Sequence, residues 1–187
     1  MIVLIIIFTF AIVLHEWGHA YVAYKCGDPT PKMQGRLSLN PIKHLDVFGT
    51  LALFIFGIGW AKPVEFNPYA LKDPKPCIVK IALAGPLMNF IQVVFYAILP
   101  FLLPYSVILD ISKAGILVNL ALALFNLLPF WPLDGFNALM YLAPDKDREF
   151  FIRSRYASFI IFLILLVTGI TNNILDFLII HFFKFLL

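Results

Sequence analysis

Residues 2–24 form one nearly unbroken apolar run, and a run of that length with so little charge is stable chiefly as a helix in a lipid bilayer. Four more apolar stretches follow, at residues 47–60, 78–104, 115–131 and from 156 to the C-terminus. In lipid every backbone N–H and C=O must be paired within the chain, so these stretches are read as helices. Composition agrees, since 61% hydrophobic against 13% charged residues lies far from the soluble average. A spanning helix takes roughly 20 residues, so the first and third stretches qualify outright and the fourth narrowly. The second is short and holds Gly49, Gly57 and Gly59, which predicts a re-entrant or short helical segment that does not span. Thr171, Asn172 and Asn173 interrupt the last run, which predicts one helix to about Ile170 and another from Ile174. The expectation is an all-α polytopic membrane protein of four to six transmembrane helices. It forms a single domain, with a core over residues 1–145 and C-terminal helices over 150–187.

The first stretch lacks a basic leader and a small-residue cleavage site, so it reads as a retained helix rather than a signal peptide. Cys26 and Cys77 lie near predicted membrane edges without metal-ligand spacing; both read as structural residues, with neither a disulfide nor a thiolate site expected. The net charge of +3 suggests topology rather than nucleic acid, because the basic residues flank the membrane segments. Of the 14 Lys and Arg, eight fall between Lys25 and Lys80 and four between Lys146 and Arg155. The positive-inside rule puts both groups in the cytoplasm and the N-terminus outside.

Near the predicted cytoplasmic end of the first helix the chain reads HEWGH, from His15 to His19. On a helix His15 and His19 lie about 40° apart around the axis and about 6 Å apart along it, so both imidazoles can reach one ion. Glu16 flanks that ion without being needed as a ligand. Three ionisable groups inside a membrane helix are costly, and such groups default to function.

Catalytic zinc takes three protein ligands, so a third is needed. His44 lies on a loop and His181 on the uncertain terminal helix. Asp134 follows the fourth stretch in NLLPFWPLDG, where Pro129 and Pro132 break the helix; its plainer reading is a turn residue or helix cap. The charge-derived topology brings Asp134 to the cytoplasmic side, at a depth similar to the histidines, about 8–14 Å inside the boundary. That agreement favours Asp134.

These residues resemble the site-2 protease family of intramembrane zinc metalloproteases, which pairs HExxH on one membrane helix with an Asn-to-Asp-Gly motif on a later one. The chain is similar to compact members without a PDZ or nucleotide-binding domain. GDPTPKMQGRLSLNPIKHLD (residues 27–46), GWAKPVEFNP (59–68) and AGPLMN (84–89) resemble that subgroup, and the likeness covers roughly residues 8–145. It implies a single zinc ion held by His15, His19 and Asp134, water activated by Glu16, and Asn126 assisting substrate or oxyanion. Asn89 is carried over as a substrate-binding residue. It further implies transmembrane protein substrates and a prokaryotic cell membrane, with the site toward the cytoplasm.

Asn89 and Asn126 sit in apolar surroundings and should face the bundle interior or a wet cavity; interhelical hydrogen bonding is the plainer reading of both. Met33, Gly35, Leu37 and Leu39 alternate, which predicts a small β-structured loop near the site that either pairs with an extended substrate or merely covers the site. The competing function is a zinc-binding membrane protein without proteolysis, a pseudoenzyme or a metal transporter. Ionisable residues gathered at one depth disfavour transport, and an intact Glu16 disfavours a pseudoenzyme.

Overall fold

The computed structural model describes residues 2–46, 48–49, 51 and 61–186, with side chains of the last four left aside. Its helices are α1 (Ile2–Lys25), α2 (Thr30–Met33), α3 (Pro74–Leu102), α4 (Ser106–Asn126), α5 (Asp134–Leu142), α6 (Arg148–Val167) and α7 (Ile170–Leu186). Among the described residues four helices are long and apolar enough to cross a membrane: α1, α3, α4, and α6 with the turn before it. The outward faces of α1, α3, α4 and α6 carry exposed Ile, Leu, Val and Phe, as expected where lipid rather than water is the solvent.

The bundle centres on α3, which packs against α1, α4 and α5, while α1 also meets α4. Small residues make this approach close. A side chain at Gly18 of α1 would come within 2.6 Å of Met88 and 2.8 Å of the Ala84 carbonyl of α3, the small-residue contact by which membrane helices associate. The helix of the fourth apolar stretch starts at Ser106 and not near Gly115, because Asp110 and Lys113 stay exposed at the helix start and so need no place in the apolar interior. The last run divides at Gly169, whose φ of +74° suits glycine and ends α6, so Thr171 and both asparagines fall inside α7.

Two expectations are corrected. No strand forms over Met33 to Leu39; Met33 closes α2, and residues 34–37 are turn. Pro31 opens that helix, the Asp28 carboxylate accepts the Thr30 N–H, and Gly35 turns the chain at φ +70°. The Arg36 guanidinium then donates to the carbonyls of Lys43, Lys62 and Pro63, doing for the loop what a sheet would otherwise do. Among the described residues β-structure is limited to one bridge between Leu45 and Ala61. The segment 47–60, predicted as re-entrant, falls outside the described residues apart from 48, 49 and 51.

The second correction is a disulfide between Cys26 and Cys77. It joins the end of α1 to the start of α3, inside a cluster with Ala23, Leu71, Ile78 and Ile81. The pairing is invisible in the spacing because the two cysteines stand 51 positions apart in the chain, and only helix packing brings them to a Cα separation of 6.0 Å.

Candidate metal centre

HEWGH lies wholly within α1, so His15 and His19 point one turn apart from the same face, toward α3. Both are nearly buried, at 7% and 8% exposure. Gly85 of α3 faces them. A methyl there would lie within 2.5 Å of His15 Nε2 and closer still to His19 Nε2, so only glycine leaves room between helix and imidazoles. Asp134 comes from the far side. α4 ends at Asn126, residues 127–133 turn back, and Asp134 is the first residue of α5. A side chain at Gly135 would collide with the carbonyls of Leu127 and Leu128, so the turn closes on glycine and returns Asp134 to the bundle. Trp131, Phe130 and Phe125 pack that turn against Phe159 and Phe162 of α6.

The three groups converge. His15 Nε2 and His19 Nε2 lie 3.2 and 3.3 Å from Asp134 Oδ2 and 3.1 Å from each other. The other ring nitrogens decide what this means. His19 Nδ1 lies 2.7 Å from the Ile81 carbonyl, which can only accept, so Nδ1 carries the proton. His15 Nδ1 lies 2.6 Å from Asn89 Oδ1, with the same consequence. Both Nε2 atoms therefore present lone pairs, and they meet the Asp134 Oδ2 atom, which is buried without a hydrogen-bond donor. Three acceptors facing one point would repel; a cation between them removes the conflict. Two neutral imidazoles and a carboxylate are a donor set suited to zinc.

The centre opens onto a cavity of about 360 Å³. Its polar lining includes His15, Glu16, His19, Asn126, Asp134 and Asn137, and Pro63, Val64 and Phe66 of the loop before Asn67 also line it. Asn126 donates one N–H to the Leu122 carbonyl at 2.9 Å of its own helix, leaving its second N–H and its oxygen for the cavity. Arg36 holds the loop from behind; burial lowers its pKa, opposed by the charges of Glu16 and Glu65.

Of the residues singled out from sequence, His15, Glu16, His19, Asn126 and Asp134 meet at this cavity. Asn89 does not line it. Fully buried, it stands behind His15, its Oδ1 2.6 Å from His15 Nδ1. His44 is fully buried in the loop, with Nε2 bonded to the Ser38 carbonyl, and His181 bonds within α7. Gly85, Asn119 and the Ile81 carbonyl went unnoticed in the sequence. Asn119 alone carried a signal there, as an amide in the middle of an apolar helix.

Residues 3–114 match Peptidase family M50, a stretch that contains HEWGH and Asn89 and stops before Asp134. The chain is 42% identical over 185 residues to "Putative zinc metalloprotease YwhC" of Bacillus subtilis, covering 94% of this chain and 83% of that protein. It is 33% identical over 183 residues to "Putative zinc metalloprotease Rip2" of Mycolicibacterium smegmatis, covering 92% of this chain and 69% of the relative. "Zinc metalloprotease MJ0392" of Methanocaldococcus jannaschii is 30% identical over 77% of this chain, which spans 35% of that longer protein. No solved structure matches. With the HExxH helix, the returning aspartate and more than half its length inside the family match, the chain belongs to peptidase family M50, the site-2 protease family of zinc metalloproteases.

Proposed function

We propose that the chain hydrolyses peptide bonds of membrane-protein substrates at this cavity, with one zinc ion held by His15, His19 and Asp134. The observation that carries the reading is the convergence of three lone-pair donors within 3.3 Å beside a carboxylate that ligates nothing, Glu16. Separations so short support a single ion rather than a pair. Bound there, zinc supplies a water whose pKa is lowered to about 7 and a Lewis acid for the scissile carbonyl.

The chain's own residues do the rest. Glu16, half-buried in the cavity wall, accepts a proton from the attacking water and delivers it to the leaving amine. The free N–H of Asn126 holds the substrate carbonyl as charge develops on its oxygen. Asp134 offsets the ion's charge, which eases its burial among apolar helices. Pro63, Val64 and Phe66 exclude bulk water and offer an apolar wall to a substrate drawn from the bilayer. The charge distribution along the loops supports a site on the cytoplasmic side of a cell membrane.

Glu16→Gln is expected to keep zinc, measured by metal analysis of purified protein, and to lose cleavage of a membrane-protein substrate by a factor of about 100 or more. His15→Ala and Asp134→Ala are expected to lose both. Continued proteolysis by Glu16→Gln would overturn the mechanism, because cleavage would not need Glu16 as the base.

A further inference from the structure

We propose that Asn119 of α4 and Asn89 of α3 form a two-amide relay that fixes the tautomer and ring plane of His15, making both positioning residues of the metal centre. The inference rests on the metal site proposed above. Asn89 is fully buried, and each of its polar atoms has a partner. Its Nδ2 donates to the Ala11 carbonyl at 3.2 Å and to Asn119 Oδ1 at 3.0 Å, and its Oδ1 accepts from His15 Nδ1 at 2.6 Å. Asn119, also fully buried, donates from Nδ2 to the Gly115 carbonyl at 2.9 Å.

The direction of this chain is forced. Gly115 O can only accept, so the nitrogen of Asn119 faces it and Oδ1 faces Asn89. Ala11 O and Asn119 Oδ1 can only accept, so the nitrogen of Asn89 faces them and Oδ1 faces His15. Flipping either amide would set oxygen against oxygen in an apolar interior, at the cost of an unpaired buried polar group. His15 must then carry its proton on Nδ1 and present Nε2 as a lone pair. His19 receives the same instruction directly from a backbone carbonyl, so its state follows from the fold alone; that of His15 depends on two replaceable side chains. Groups that orient a metal-bound histidine commonly change metal affinity 10–100-fold when removed.

Asn119→Val and Asn119→Thr separate the relay from packing, because the two side chains share a shape and differ in one hydroxyl. A helical Thr hydroxyl donates to the carbonyl four residues back, here Gly115, and its oxygen can still accept from Asn89. The readouts on full-length detergent-solubilised protein are Zn²⁺ affinity by chelator competition, visible absorption of the Co²⁺ form, and thermal midpoint of the metal-free form. Asn119→Val is expected to weaken Zn²⁺ binding about tenfold and alter the Co²⁺ bands, with Asn119→Thr recovering most of both. Unchanged affinity and Co²⁺ bands in Asn119→Val would overturn the relay. So would an equal loss in both variants, which would assign the effect to packing. His15→Ala and Asp134→Ala, run alongside, test the site itself. If they keep Zn²⁺, the metal reading fails; if they lose it while the Asn119 variants match the parent, only the relay fails.

Discussion

Which nitrogen of each histidine carries the proton is set by partners that donate nothing: a backbone carbonyl for His19 and an amide oxygen for His15. That leaves two lone pairs and a carboxylate oxygen at one point, and the space around the point matters as much as the ligands. Gly85 supplies that space. Gly85→Ala is expected to abolish stoichiometric zinc, measured by metal analysis, because a methyl would overlap both Nε2 atoms. In a helix interior Ala is favoured over Gly by roughly 0.5–1 kcal/mol, so the helix itself should not weaken. Normal zinc content in this variant would show that α3 can shift away from α1 and that the glycine is not needed for room.

At the scale of elements, the centre depends on how α1, α3 and the turn before α5 are fastened. Gly18 lets α1 and α3 approach, and Cys26–Cys77 ties the C-terminal end of α1 to the start of α3. The bridge lies two turns from His19 and contributes no atom to the cavity, so its effect should fall on stability rather than chemistry. Cys77→Ser is expected to lower stability by about 2–4 kcal/mol, read as a lower thermal midpoint, with zinc content unchanged. Loss of zinc in that variant would mean the bridge sets the α1–α3 geometry at the metal. The loop 61–67 reaches the site as extended chain pinned by Arg36 and by Asp28, whose carboxylate accepts the Asn67 N–H at 2.6 Å. Side-chain hydrogen bonds thus hold this segment in place.

For the whole molecule, the three groups that could hold an ion are residues 15, 19 and 134, so an ion bound there would join the start of the core to its end. A ligand that binds only the folded state stabilises it by about 2.7 kcal/mol at a hundredfold excess over Kd. Chelation is accordingly expected to lower the thermal midpoint, and added Zn²⁺ to restore it. A midpoint indifferent to metal at neutral pH would argue that the three groups hold no ion.

Hydropathy and one motif carried much of this protein in the sequence alone. Lipid leaves the backbone few ways to satisfy its hydrogen bonds, so the membrane helices could be read from apolar length, and helical spacing put His15 and His19 on one face because four residues make about one turn. Asp134 was legible from topology, since the charge pattern returned it to the same side of the membrane. Element edges were less so: Asp110 and Lys113 hid the start of α4, and Gly169 outweighed the asparagines that follow it. What only the tertiary structure decided are contacts between helices. The disulfide, the room at Gly85, the loop clamped by Arg36, and the role of Asn89 behind His15 depend on which faces of α1, α3 and α4 meet. That choice is made by side-chain packing across tens of residues, and no local spacing records it.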